Sequence, residues 1–215
     1  MRCWILVAGL GILAAAWLGP LPELSRQLFS AHMSLHVTVI AIAAPLLALG
    51  IAGHRLDPVR HAPKIFSPIP ASIFELVVVW AWHAPALHHL ARESVAILIV
   101  EQMSFLAVGF LVWMSALGGS RIQQRERAIA SVSGLLLTSM HMTLLGVLLA
   151  LANRPLYVHG SLLHDGALPF TLTPLQDQHF GGVIMLFFGG AVYLIGVLYR
   201  VSGLLKERGH VVSAG

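Results

Sequence analysis

The chain has 215 residues, a formal net charge of +4 and a mean hydropathy of +0.83. Charged residues make up 10% of it, whereas a soluble domain carries about a quarter. This deficit excludes a soluble globular protein, and no basic cluster interleaved with aromatic residues is present to suggest nucleic-acid binding. The composition is typical of an integral membrane protein.

Several apolar segments follow one another along the chain. We predict transmembrane helices over residues 3–19, 29–51, 69–90, 94–117, 128–152 and 178–200, within a single domain that spans residues 1–215. The first segment ends without a small-x-small cleavage pattern, so we expect an uncleaved helix rather than a signal peptide. Pro45 and Pro85 lie inside predicted spans, where each should kink its helix. The sequence therefore predicts an all-α polytopic bundle of about six transmembrane helices.

The distribution of basic residues predicts how the bundle is oriented. Loops 52–68 and 118–127 and the segment from residue 200 onward are rich in arginine and lysine, whereas the alternate loops carry the single arginines Arg26, Arg92 and Arg154. Because cytoplasmic loops hold an excess of basic residues, both termini are predicted to lie in the cytoplasm.

With six spans, a cluster of polar residues falls in the outer half of the membrane. At about 1.5 Å per residue, His36, His83 and Glu101 lie roughly 10–12 Å below the outer boundary. Ionisable groups within spans cost about 2.5–3.5 kcal/mol each on insertion scales, so such a layer is a candidate functional site. Its members are His32, His36, His83, His88, His89, Glu101, Gln102, His141, Asp177, Gln178 and His179.

The pair His32 and His36 indicates metal binding, because residues four apart share one helix face and can ligate one ion. Imidazole suits copper, zinc or iron, and thioethers favour Cu(I). Methionines Met33, Met103, Met140 and Met142 lie near the same layer, so we expect copper. We predict His32, His36, His83, His141 and Asp177 as ligands, with Met33, Glu101, Gln102, Met140, Met142, Gln178 and His179 as further ligands or as groups that orient them.

Structural roles compete with this interpretation at several positions. Asp177 also suits the N-cap of the sixth predicted helix, and His88 and His89 suit packing near the membrane interface. Glycines recur every seven residues along the sixth helix, which indicates close helix packing, within the bundle or against a partner. These glycines are Gly182, Gly189, Gly196 and Gly203.

Four segments, taken together and in order, resemble the CtaG family. They are FSAHMSLHVTVIAIAAPLLALG, WHAPAL, MHMTLLGVLLALANRPLY and TPLQDQHFGGVIMLFFGGAVYL, which fall between about residue 25 and residue 200. The HMxxH positions of the family match His32, Met33 and His36. Its DQ and glycine positions match Asp177, Gln178, Gly181 and Gly182. His179 stands where many members have a second glutamine.

The resemblance implies a membrane assembly factor for caa-type cytochrome c oxidases, with copper handling as the expected activity. It implies a multi-pass protein of the bacterial cytoplasmic membrane whose partners are an oxidase subunit or other oxidase assembly proteins. This chain has short loops and no long soluble extension, so it lacks the part to which a docking role is usually assigned.

Two other functions remain open from the residues themselves. A b-type haem protein needs histidines that face each other from different helices, such as His36 and His141. A metal-dependent membrane hydrolase would use the same His, Asp and Glu residues with a bound water, although no HExxH motif is present. We expect a non-enzymatic protein. A transporter is disfavoured because inverted repeats are not evident.

Overall fold

The structure is a computed structural model that describes residues 2–157 and 172–212, with side chains described for residues 3–157 and 172–205. All regular elements in these ranges are helical. Four helices are long and apolar enough to cross a membrane, and two bent helix pairs raise the number of candidate spans to as many as six. The predicted class, an all-helical polytopic membrane protein, is confirmed. The orientation of the termini stays a prediction.

The N-terminal part of the bundle contains three helices. Helix α1 covers Arg2–Leu18, α2 covers Leu21–Gln27, and the two are bent by 47° at a break that contains Pro20. Helix α3, Phe29–Ile51, is continuous and has the bounds predicted from sequence. Its turns at Thr38–Ala43 are π-helical and directly precede Pro45. Pro45 therefore alters the hydrogen-bond pattern of α3 without breaking the helix.

The predicted span 69–90 is divided in the structure. Helix α4, Pro68–Trp82, and helix α5, Pro85–Glu93, meet at an angle of 71°. Ala84 has extended backbone angles (φ −65°, ψ 131°) because the helical conformation is disfavoured before a proline. Pro85 thus ends one helix and begins the next. The break turns the His83 region toward the inside of the bundle.

The remaining helices complete the bundle. Helix α6 covers Val95–Leu117, the short helix α7 covers Arg121–Glu126, and α8 covers Ala128–Ala150. Helix α9 consists of Pro174–Ile184, a π-helical turn at Met185–Gly189, and Gly190–Val212. It begins before the predicted residue 178 because Thr173 and Gln176 form a capping box.

Helix α3 lies at the centre, in contact with α1, α6 and α9, while α8 packs between α4 and α9. The backbones of α8 and α9 approach closely: a Cβ atom on Gly182 would lie 2.5 Å from the amide nitrogen of Ala150. A Cβ on Gly196 would lie 2.8 Å from the ring of Trp113, whereas one on Gly203 would meet nothing within 4 Å. Gly182 and Gly196 therefore allow close packing within the bundle, whereas Gly203 makes no such contact.

Candidate metal centre

The first turn of α3 is held by a side chain from α9. Asp177 accepts hydrogen bonds from the backbone N–H of Phe29 at 2.6 Å and of Ser30 at 3.0 Å, and from the Ser30 hydroxyl at 2.5 Å. A carboxylate at a helix N-terminus satisfies exposed N–H groups and interacts favourably with the helix dipole. Asp177 therefore caps α3, not its own helix, which is capped by Thr173.

Two histidines one turn apart on α3 face a carboxylate of α6. Nε2 of His32 lies 3.3 Å from one oxygen of Glu101, and Nε2 of His36 lies 3.5 Å from the other. One ligand atom from each of the three residues falls within a group whose members are all within 4.8 Å of one another. The side chains are almost fully enclosed, with exposed fractions of 0% for His32, 5% for His36 and 0% for Glu101.

None of these buried polar atoms forms a hydrogen bond. Both ring nitrogens of His32 and of His36, and both oxygens of Glu101, lack a hydrogen-bond partner within the described part of the chain. The contacts between them are short but are not aligned as hydrogen bonds. Buried polar groups without partners are costly, above all within a membrane. A cation held by all three residues would remove this cost.

The separations also fit a shared ion. Nitrogen and oxygen ligand atoms about 2.0–2.2 Å from a tetrahedral metal lie about 3.3–3.6 Å apart. The distances of 3.3 Å and 3.5 Å between imidazole nitrogens and carboxylate oxygens have this size. A His₂Glu set accepts zinc, copper or iron. The donor atoms of His32, His36 and Glu101 therefore fit a metal ion.

A second pair of donor atoms adjoins this triad. Nδ1 of His83 donates to the carbonyl of Val79 at 2.7 Å, so in the neutral ring Nε2 carries a lone pair. That nitrogen faces the sulfur of Met33 at 3.4 Å. The ring of His83 lies 5.8 Å from the ring of His36, centre to centre. His83 and Met33 thus extend the layer with one nitrogen and one thioether ligand.

A cavity of about 10 Å³ lies beside these groups, the space that one water molecule needs. Three thioethers and two imidazoles line it: Met33, Met142, Met185, His36 and His83. Thioether sulfur is a soft ligand that selects Cu(I) over hard cations. Met185 was not among the predicted residues, because its position on α9 reaches this layer only through helix packing.

The other predicted residues lie in different places. His141 is buried and its ring nitrogens lack hydrogen bonds, but it is not part of the triad of ligand atoms. Met140 is 68% exposed on the outside of the bundle. Gln102 is buried beside Glu101, and its amide has no hydrogen-bond partner among the described residues.

The residues that follow Asp177 fasten α9 to the end of α8. The side-chain oxygen of Gln178 accepts from the backbone N–H of Leu156 at 2.7 Å, and Nε2 of His179 donates to the carbonyl of Ala152 at 2.9 Å. The side chains of Asp177, Gln178 and His179 therefore each form hydrogen bonds with backbone groups of other segments. The structure does not bring these three side chains to the His32/His36/Glu101 triad.

Aromatic rings cover the triad near the start of α3. The ring of His88 lies 4.7 Å from that of His32, and Tyr157 stacks on Phe29 with centres 4.5 Å apart. The Tyr157 hydroxyl donates to the carbonyl of His83 at 2.6 Å. Burial raises the pKa of this phenol above its usual value, so it stays a neutral donor. Tyr157 ends the MHMTLLGVLLALANRPLY segment that carries the family resemblance, but it was not among the predicted site residues.

A separate polar network lies within the bundle around Glu75 of α4. Thr138 of α8 donates to one oxygen of this carboxylate at 2.9 Å, and the Tyr193 hydroxyl of α9 donates to the other. Ser72 joins through a 2.7 Å hydrogen bond with Thr138. The network links three helices. Its sequence signal was a carboxylate in an apolar segment, but nothing local predicted its partners.

These features define a class: a polytopic helical membrane protein with a buried histidine–carboxylate cluster between its central helices. A family model described as "Cytochrome c oxidase caa3 assembly factor (Caa3_CtaG)" matches residues 1–207. The chain belongs to this family of caa3 oxidase assembly factors, which confirms the family indicated by the sequence motifs. Searches among curated proteins and among solved structures gave no match.

Proposed function

We propose that this protein carries copper for a haem–copper oxidase, with His32, His36 and Glu101 as its binding site. The observation that supports this is the set of three buried side chains whose donor atoms converge without hydrogen bonds. Copper is cargo in this proposal, and the protein passes it to an oxidase subunit in the same bacterial cytoplasmic membrane. The family relation supports the oxidase as the client.

Copper is favoured over zinc by the sulfur atoms around the site. Met33 faces His83 at 3.4 Å, and Met142 and Met185 line the adjoining cavity. One carboxylate with neutral imidazoles and thioethers would leave a bound Cu(I) ion without net charge, which lowers the cost of burying it. Entry and release would follow from exchange of the ion among neighbouring nitrogen and sulfur donors.

The two alternative functions have less support. A porphyrin needs far more room than the cavity of about 10 Å³ beside His36 provides. A hydrolytic metal site needs an open ligand position and access for substrate, whereas His32 and Glu101 are each 0% exposed. The enclosure of the triad therefore supports a carrier rather than a catalyst.

Metal analysis of the purified full-length protein tests the proposal. After loading with Cu(I) under reducing conditions and desalting, we expect about one copper ion per chain in the wild type and almost none in the His32→Ala/His36→Ala variant. The matched control is His54→Ala/His61→Ala, which removes two exposed histidines between α3 and α4. Unchanged copper content in the first variant, or retention of zinc in preference to copper, would contradict the proposal.

The same samples separate the alternatives. An optical spectrum without a Soret band, after expression with ample haem, excludes haem ligation by His36 and His141. In cells that carry only the His32→Ala/His36→Ala variant, we expect the oxidase to contain haem but to be depleted of copper. An oxidase with full copper content in those cells would show that oxidase assembly does not depend on His32 and His36.

A further inference from the structure

A second concave site lies at the opposite end of the bundle from the metal centre. It encloses about 340 Å³ between α7 and the C-terminal part of α9. Glu101 is in the first third of α6, and α7 follows the other end of that helix, more than 20 Å away at about 1.5 Å per residue. The two sites are therefore separate.

Three arginines from two helices line this cavity. Arg121 and Arg125 come from α7 and Arg200 comes from α9. Nη2 of Arg200 donates to the backbone carbonyl of Gln124 at 2.9 Å, which fixes its guanidinium next to α7. Arg127, outside the lining, is within electrostatic reach of Arg200 and is a fourth arginine in this region.

The lining of the cavity contains no acidic side chain within the part of the chain whose side chains are described. Asp57 is within electrostatic reach of Arg127, but its oxygens accept from the backbone N–H groups of Gly53, Val59 and Gly119 at 2.7–3.0 Å. Glu126 is exposed and is not part of the lining. The cavity is therefore suited to an anion.

A second cavity, with one wall of apolar side chains, continues from the cationic one. It encloses about 240 Å³ between the start of α1, the end of α3 and the end of α6, with Ile5, Leu49 and Leu117 among its lining. The two cavities share Gln124, Tyr199 and Arg200, so they adjoin each other. An amphipathic Tyr199, 63% exposed, stands at the boundary between them, as is typical of membrane interfaces.

We propose that this composite site binds one anionic phospholipid, with its phosphate between Arg121, Arg125 and Arg200 and its acyl chain along Ile5, Leu49 and Leu117. A basic pocket between helix ends is the form that anionic-lipid sites take on the cytoplasmic side of membrane proteins. The apolar wall of the adjoining cavity favours a lipid over a free phosphate, which would make no contact with Ile5, Leu49 and Leu117. Basic residues whose only role is to orient the protein in the membrane would not need to line a common cavity.

Native mass spectrometry of the full-length protein tests the proposal. After purification in mild detergent with an equal mixture of phosphatidylglycerol and phosphatidylethanolamine, we expect one retained phosphatidylglycerol molecule on the wild type. The Arg121→Gln/Arg125→Gln variant should retain it at least about tenfold less, since each arginine near an anionic surface contributes roughly fivefold. The control, Arg55→Gln/Arg60→Gln, alters two exposed arginines outside the cavity and should behave as the wild type.

Three results would overturn the proposal. They are equal retention of the two lipids by the wild type, equal loss in the control variant, and displacement of the lipid by inorganic phosphate at millimolar concentration, which would indicate a site for free anions. Circular dichroism and the copper content of the distant metal centre verify that each variant is folded. The lipid result and the copper result are independent, so failure of one leaves the other interpretable.

Discussion

At the scale of single residues, Glu101 is the side chain that favours the proposed metal centre over a chance cluster of histidines. It supplies the negative charge of the triad, and its oxygens lie 3.3 Å and 3.5 Å from the two imidazoles of α3. In a membrane interior a carboxylate without a hydrogen bond is costly. Residues kept at such a cost are typical of functional sites.

The Glu101→Gln variant tests this interpretation. It keeps the shape of the side chain but removes its charge, so we expect Cu(I) affinity to fall at least about tenfold while the metal-free protein melts at the same or a higher temperature. Competition with a Cu(I) chelator measures the affinity, and thermal unfolding in detergent measures the stability. Glu93→Gln, which alters an exposed carboxylate, is the control. A lower melting temperature with unchanged affinity would make Glu101 a structural ion-pair partner instead.

At the scale of elements, α3 is the helix that organises the site, and its start is fixed from α9. Asp177 uses both of its oxygens to cap α3, three residues before His32. Because this cap comes from α9, it links α9 to α3 and fixes the position of His32 and His36 relative to α9. This gives Asp177 a positioning role without contact with the ion.

We expect Asp177→Ala to destabilise the protein by about 1–2 kcal/mol, because it removes a charged helix cap. Asp177→Asn, which keeps an acceptor oxygen, should cost less. Equilibrium unfolding in detergent measures both, and the copper content should remain near that of the wild type. Thr173→Ala, which removes the exposed cap of α9 itself, is the comparison. Loss of copper in Asp177→Asn with unchanged stability would instead make Asp177 a ligand.

At the scale of the whole molecule, the two proposed sites lie at opposite ends of the bundle. The loop charges predict that the arginine cavity faces the cytoplasm and the metal centre faces the outside. In the proposed function, this orientation would determine from which side copper enters and to which part of a client it passes.

Single-cysteine variants test this orientation. In a Cys3→Ser background, Asn153→Cys places one exposed thiol on the predicted outer side, and Ile122→Cys places one on the predicted cytoplasmic side. With a membrane-impermeant maleimide on intact spheroplasts, we expect labelling of Asn153→Cys, and labelling of Ile122→Cys after lysis alone. The reverse pattern would invert the bundle and place the metal centre in the inner half.

Much of this protein was predictable from its sequence, because the determining interactions are local. Apolar runs long enough to cross a bilayer set the number of candidate spans, and a spacing of four residues on one helix placed His32 and His36 side by side. The order of the motifs also indicated the family. The spans and the histidine pair depend on residues near one another in the chain, and the family on motifs that are each local.

The identity of the partners was decided by tertiary structure. Glu101 meets the histidines because α6 packs on α3, and the kink predicted at Pro85 is a break of 71° that divides one predicted span into two helices. Asp177, equally consistent with a ligand from sequence, became the cap of a helix almost 150 residues away in the chain. Such contacts depend on how whole helices are rotated and how deep they lie, and a local pattern carries no information about either. The sequence by itself therefore determined the candidate residues of the site, and helix packing decided which of them meet.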